Sequence, residues 1–522
     1  MSADGGTTAG GLSVTTESGT VRGIRDGDVR SWRGIPYAAP PVGDLRFRAP
    51  SSPVPWQGVR AATDFGAAAP QSKMFTALGI GVRGVRYQRR DEDCLTLNIW
   101  APDTADADGP LPVMVFIHGG AYILGSSATP LYNGRDLARR GVVLVTINYR
   151  LGALGYLDVS AFATPEHPFD SNLGLRDQIA ALAWVQRNVA AFGGDPSNVT
   201  VFGESAGGNA VTTLLAVPAA AGLFAKAIAQ SSAPSLTLHA DHARAFATEF
   251  VEILARSGDA STASATPAEM LAGASVGQLA ATMSTLSAQI GKQMPGLQPW
   301  GPCVDGDLLP VDPMDAADAG TLTQVPVIIG TNRDEGTLFT KLWDILPSTP
   351  SRISRMFDAT DVAAAQRVLA AYPGFPDTDH GAQIAGDAVF WAPTIEFADA
   401  ISAVTPTYVY RYDYAPMTMR VSGFGATHVS ELFAVFGFYR SFAGRSLSTI
   451  DRRKSLRVTD DVQSRWVAFA RSGMPGEQWP VYQTQTRIVR VIDDRSYLVS
   501  DPRADVRQAW RGYVGYRGGI TA

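Results

Sequence analysis

The 522-residue chain is short of the residues that mark several protein classes. Its two cysteines, Cys94 and Cys303, are too few for a disulfide framework. Positive charge is not in excess either: 44 Lys and Arg against 49 Asp and Glu leave a formal net charge of minus 5. With no cationic footprint, neither nucleic acid nor an anionic membrane surface is an expected partner. Long hydrophobic runs are missing as well. The most apolar stretches, 113–117 and 142–147, fall far short of the roughly 20 residues a membrane-spanning helix needs, so no membrane anchor is predicted. The first twenty residues, MSADGGTTAGGLSVTTESGT, lack the basic start and apolar run of a secretory signal, which makes the cytoplasm the expected compartment. The Asn198-Val199-Thr200 sequon is discounted on the same ground. Only five of the 44 basic residues are lysine, an arginine bias read as a bacterial, GC-rich coding signature. No Pro/Ser-rich linker, charge block or repeat divides the chain.

What is present is a large buriable fraction, 45% hydrophobic against 18% charged. Short apolar runs at 113–117, 142–147 and 199–202 are bounded by Gly, Asn or Pro, the pattern of strands buried on both faces in a parallel sheet. Between the last two, Leu175, Ile179, Leu182, Val185 and Val189 recur at helical spacing, and Gly193-Gly194 supplies a stop. Further strand-like runs lie at 227–230, 325–330 and 408–414, and a helix through Val462, Trp466 and Phe469 ends at Gly473. The fold class is α/β: a central, mostly parallel sheet flanked by helices. Residues 1–11 read as a disordered tail and 12–522 as a single domain. Helical insertions are expected near 235–300 and 340–400, with the Ala-, Ser- and Thr-rich stretch 243–290 forming a cap over a pocket.

Chemistry is signalled most sharply by Val201-Phe202-Gly203-Glu204-Ser205-Ala206-Gly207-Gly208, a Gly-x-Ser-x-Gly sequence directly after a strand and before a helical stretch. A serine in a tight strand-to-helix turn projects its hydroxyl above the sheet, and small neighbours, here Gly203 and Gly207, avoid a clash. In a chain with 52 glycines such a match alone is weak, but its context points to Ser205 as a nucleophile. A second motif, His118-Gly119-Gly120-Ala121-Tyr122, closes the 113–117 strand, where backbone amides of Gly120, Ala121 and Ala206 are placed to hold an oxyanion. His118 itself reads as a residue that orders the loop.

A serine hydroxyl needs an imidazole to take its proton and a carboxylate to orient that imidazole. Chain order in such a fold leaves His380 and His428 as bases. His428 is flanked by Gly425, Phe433 and Phe436, which suits a pocket better than the polar surroundings of His380. Asp334 and Glu335 both follow the 325–330 strand, and composition does not choose between them.

With these residues in place, the chain resembles the type-B carboxylesterases, the family of cholinesterases and bacterial p-nitrobenzyl esterases. The matching stretches are Arg33-Gly34-Ile35-Pro36-Tyr37-Ala38, Glu92-Asp93-Cys94-Leu95-Thr96-Leu97-Asn98, Asn148-Tyr149-Arg150-Leu151-Gly152, Phe192-Gly193-Gly194-Asp195-Pro196 and the serine motif. The resemblance implies an α/β-hydrolase fold with helical caps over an active-site gorge. It carries the acid onto Glu335 and the base onto His428, and it sets Glu204 and Ser231 beside them as supporting residues. It implies no cofactor and no metal. No cysteine precedes Cys94, so the disulfide of secreted relatives is absent and Cys94 is expected as a buried free thiol. The segment from Lys73 to Asp93 has no tryptophan, which removes the family's usual choline-binding ring and disfavours a cholinesterase. Val429 stands where many relatives carry glycine, a difference expected to act on pocket width. The acyl side is expected around Gly296 to Trp300 plus Leu338 and Phe339, mostly apolar and suited to uncharged esters.

The predicted function is a serine carboxylesterase acting on small esters of short to medium acyl chain through an acyl-enzyme. The competing readings are a catalytically silent interaction module of the same fold, and a lipase, amidase or lactonase using the same triad. Sequence leaves the physiological ester and the oligomeric state open.

Overall fold

A computed structural model describes residues 12–71, 88–104, 109–257 and 264–518. The tail expected over 1–11, and most of the segment between Lys73 and Asp93, lie outside these residues.

In chain order the strands are β1 (Ser13–Thr16), β2 (Gly19–Arg22), β3 (Ile24–Asp26), β4 (Val29–Pro36), β5 (Val59–Ala61), β6 (Thr96–Pro102) and β7 (Leu111–Ile117). They continue as β8 (Val143–Ile147), β9 (Gly194–Glu204), β10 (Lys226–Gln230), β11 (Val327–Asn332), β12 (Thr407–Tyr412), β13 (Ile488–Ile492) and β14 (Tyr497–Ser500). β1, β2 and β5 form a small sheet, and the other eleven run in the order β14-β13-β12-β11-β10-β9-β7-β8-β6-β4-β3. The strands from β8 to β13 in that order pair in parallel, and antiparallel pairs close both flanks.

The strands are buried on both faces, and the sequence shows why. Val113, Val115 and Ile117 of β7 enter one apolar cluster with Val143, Val201, Ala229 and Ile329. Met114 and Phe116 enter a second cluster on the opposite face with Leu144, Phe202, Ile228 and Ile328. Alternate residues therefore serve two cores, and a polar side chain on either face would be stranded. The helix Leu173–Asn188 packs Leu175, Leu182 and Val185 into the first cluster. The helix Arg452–Ser472 packs Val458, Val462, Trp466 and Phe469 into the second and ends at Gly473, whose φ of 78° is the left-handed cap read from sequence. Each such side chain contributes about 1.5–3 kcal/mol on burial, which fixes both helices to the sheet.

Over 235–300 lie the helices Ala240–Ser257, Pro267–Gly273 and Val276–Gln293. Over 340–400 lie Pro350–Thr360, Val362–Ala370, Thr378–Gly386 and Ala392–Ile401, with a π-helical turn at Asp387–Trp391 between the last two. Cys94 and Cys303 are both buried and unpaired. Among the described residues no helix is long and apolar enough to cross a membrane.

Candidate active site

The C-terminal ends of β7, β9, β10, β11 and β12 open on one edge of the sheet, and the loops leaving them carry every residue singled out for chemistry. β9 delivers Glu204, then Ser205 turns the chain at φ 60° and ψ −124°, and Ala206 starts the helix Ala206–Leu215. A serine at positive φ is strained, and the neighbouring glycines show what holds it there. A Cβ on Gly207 would lie 2.0 Å from the Ile117 carbonyl oxygen, and one on Gly203 would lie 2.4 Å from that of Gly207. The Ser205 turn thus presses against the end of β7 with no room for a methyl group. Ser205 keeps partial access to solvent and its Oγ makes no hydrogen bond to the described residues.

β7 runs into His118, which is buried and stacks on Tyr149 with ring centroids 4.5 Å apart. Its Nδ1–H donates to the Gly119 carbonyl at 2.9 Å, and burial pushes its pKa down to about 4. A neutral, internally bonded ring fits the loop-ordering part read from sequence. Gly120, Ala121 and Tyr122 follow with φ of 123°, 51° and 59°. This run of left-handed residues bends the loop so that the N–H groups of Gly120 and Ala121 meet no acceptor among the described residues. The Ala206 N–H, first in its helix, is one of the donors a helix start leaves free. The three amides named from sequence are therefore unspent donors.

The other half is built from side chains. His428 Nδ1 lies 2.5 Å from Glu335 Oε2, and both residues are buried. Glu335 Oε1 accepts from the Asn332 N–H and from Ser231 Oγ, each at 2.7 Å, so the carboxylate is pinned before it reaches the imidazole. Asp334, the rival acid, points elsewhere: its carboxylate accepts from the Ala426 N–H at 2.8 Å and pairs with Arg333. It anchors the loop that carries His428. His380, the rival base, is half-buried in the first turn of the helix Thr378–Gly386, bonded to Asp377.

Two carboxylates join this group. His428 Nε2 faces Glu204 Oε1 at 3.2 Å. Glu431 is fully enclosed and accepts from Asn332 Nδ2 at 2.5 Å and from Ser231 Oγ at 3.3 Å. Sequence reading passed over Glu431 and Asn332, although each stands three residues from a residue it singled out, His428 and Glu335. Three acids around one ring have predictable effects. Burial pushes the carboxyls of Glu204 and Glu431 above the ordinary carboxylate range. Burial alone would lower the imidazole, but Glu204 and Glu335 outweigh it and hold His428 at about 9.

The remaining walls are aromatic. Phe390, in the π-helical turn, and Phe339 lie 4.4 and 5.1 Å from the His428 ring. Leu338 belongs to the same cluster, whereas Trp300 packs into the main core against Phe250. Val429 has φ 76°, so the substitution for glycine strains the backbone as well as adding bulk.

Known proteins extend this geometry. The para-nitrobenzyl esterase of Bacillus subtilis (strain 168) is 38% identical over 512 residues, covering 95% of this chain and 97% of the relative. The human cocaine esterase is 31% identical, with 90% and 85% covered. A solved PNB esterase superposes with a TM-score of 0.85 at 36% identity over 96% of this chain and 99% of that one. A carboxylesterase of Geobacillus stearothermophilus gives 0.79 at 33% identity, covering 96% and 100%. The profile of the Carboxylesterase family spans residues 11–371 and 376–508. The chain belongs to the carboxylesterase family and is a carboxylic ester hydrolase of the α/β-hydrolase fold.

Proposed function

We propose that Ser205 attacks the ester carbonyl, that His428 is its general base and then the acid for the leaving alcohol, and that Glu335 orients the imidazole. The observation that carries this reading is the short Nδ1 contact between His428 and Glu335 on loops beside the strained Ser205 turn. Attack places negative charge on the former carbonyl oxygen, and the free N–H groups of Gly120, Ala121 and Ala206 are read as its cradle, each worth about 10²- to 10³-fold in rate. Water then repeats the sequence on the acyl-enzyme. In the free protein Nε2 faces Glu204, so the imidazolium formed during attack is born beside one carboxylate and bonded to another. Ser231 and Glu204 support the ring and its acid.

The walls given by Phe339, Phe390 and Leu338 favour uncharged esters with short to medium acyl chains. The two unpaired thiols and the bacterial relatives support a cytoplasmic, bacterial enzyme that is one domain from residue 12 onward, with helical caps over 235–300 and 340–400. The test is initial rates on p-nitrophenyl esters from acetate to palmitate for the wild type and for Ser205→Ala. Loss of at least about 10⁴-fold in kcat, with folding intact, is expected. A variant that keeps its activity removes Ser205 from the reaction, and an optimum at palmitate replaces this substrate class with that of a lipase.

A further inference from the structure

Two structural elements have to agree for the amides to act together. Gly120 and Ala121 hang from the end of β7, while the Ala206 N–H belongs to the helix that follows β9. Nothing in the backbone pairing of β7 with β9 reaches this far, because the register stops at Ile117 and Gly203. The loop is also strained, with two non-glycine residues, Ala121 and Tyr122, at φ 51° and 59°. Such a conformation persists only where its surroundings over-determine it.

The side chain of Tyr122 supplies that constraint. Its hydroxyl donates to Asn209 Oδ1 at 2.5 Å, and both residues are buried. Asn209 lies one turn into the nucleophile helix, its N–H donating to the Ser205 carbonyl at 2.8 Å. Its Nδ2 donates to the Ala233 carbonyl at 2.7 Å, which ties the same amide to the loop after β10. The Tyr122 carbonyl accepts from the Gly152 N–H at 2.7 Å, and its ring packs on Tyr156 with centroids 4.2 Å apart. Tyr122 is thus held at its backbone, ring and hydroxyl, one residue beyond the Ala121 amide.

We propose that the Tyr122–Asn209 hydrogen bond is a positioning clamp that sets the Gly120 and Ala121 N–H groups in register with the Ala206 N–H, so that all three converge on one oxyanion. The inference rests on the reading of these amides as the oxyanion cradle. Neither side chain touches substrate; the clamp acts through the loop. Because the donors matter only once the carbonyl oxygen has become an oxyanion, loosening them weakens the transition state and leaves ground-state binding nearly untouched. Misplacement of such donors is costly, since removing a single one lowers kcat by about 10²- to 10³-fold.

The test is Tyr122→Phe, which deletes one oxygen and keeps the ring. Asn209→Leu removes the acceptor from the other side, and the double variant completes a cycle. Expected are a fall in kcat on p-nitrophenyl butyrate of about tenfold or more, KM within about threefold, and an equal loss of affinity for a trifluoromethyl ketone that forms a tetrahedral adduct with Ser205. The double variant should be no slower than Asn209→Leu alone, because that variant already loses the bond that Tyr122→Phe removes, besides the Nδ2 bond to Ala233. Tyr414→Phe is the control. It removes another buried hydroxyl, one bonded to Ser455 Oγ at 2.7 Å and not to Ser205, Glu335 or His428, and shows what lost stability alone does to rate. If Tyr122→Phe matches Tyr414→Phe in melting temperature, kcat and ketone affinity, the clamp is structural only and the proposal is overturned. If KM rises with kcat unchanged, Tyr122 shapes the pocket instead. A wild type with no Ser205-dependent activity and no ketone adduct removes the catalytic reading itself, and the clamp with it.

Discussion

The Ser205 side and the His428 side of the site are built from different materials. Around Ser205 the work is done by backbone: glycines on which an added Cβ would meet carbonyl oxygens at 2.0 and 2.4 Å, positive φ at Gly120, Ala121, Tyr122 and Ser205, and free N–H groups. Around His428 it is done by buried side chains: Glu335, Glu431, Asn332 and Ser231, joined by hydrogen bonds of 2.5 to 3.3 Å, with Glu204 facing the imidazole at 3.2 Å. Backbone geometry is rigid and intolerant of added volume. A side-chain network tolerates isosteres in shape but is sensitive to charge, because its members set one another's protonation. The two halves should therefore fail in different ways.

Glu335→Gln should produce the largest loss. The amide keeps the shape and the Asn332 contact, yet it no longer supports the imidazolium, and kcat should fall by about 10⁴-fold with the melting temperature little changed. A fall in stability matching the fall in rate would erase the contrast. Gly207→Ala should do the opposite on the Ser205 side. Its methyl would meet the Ile117 carbonyl, so the turn or the end of β7 must move. Overpacking of this kind costs about 1–3 kcal/mol. A drop in thermal stability together with lost activity is expected, and a stable, fully active variant would show that the turn has slack.

The smallest effect sharpens the comparison most. In the proposed mechanism His428 must be neutral to accept the Ser205 proton, and with its pKa held at about 9 the activity of the free enzyme should climb as pH rises toward that value. Glu204→Gln removes one of the two carboxylates that hold it there. Less support for the imidazolium means a lower pKa, so the acidic limb of kcat/KM against pH should shift down, by about one unit. A limb that stays in place, or moves up, means that Glu204 does not govern the ring.

This division also explains what could be read from the chain. Ser205, Gly120, Ala121 and Ala206 were readable because backbone requirements leave contiguous motifs: a strand, two glycines or a Gly-x-Ser-x-Gly turn, a helix. The continuous apolar run of β7 and the glycine stop at Gly473 were visible for the same local reason. The choice between Asp334 and Glu335 was not, since it turns on which carboxylate faces a loop about 90 residues later, and only the family likeness pointed to Glu335. Glu431 escaped because a lone glutamate in sequence is ordinarily a solvated charge; its partners Asn332 and Ser231 sit 99 and 200 positions away. The Tyr122–Asn209 contact escaped likewise, spanning 87 positions with no motif linking its ends.

The order of strands in the sheet has a consequence for how the molecule is made. From β9 onward each strand lies beside the one synthesised just before it, through β10, β11, β12 and β13. The sheet can thus be extended at one edge as the chain leaves the ribosome, each arrival covering the open edge of its predecessor. Ser205 is in place early, Glu335 arrives with the loop after β11, and His428 only with the loop after β12. A growing chain therefore carries its serine turn for more than two hundred residues before His428 emerges, and with the roles proposed for them the hydroxyl waits that long for the base that activates it.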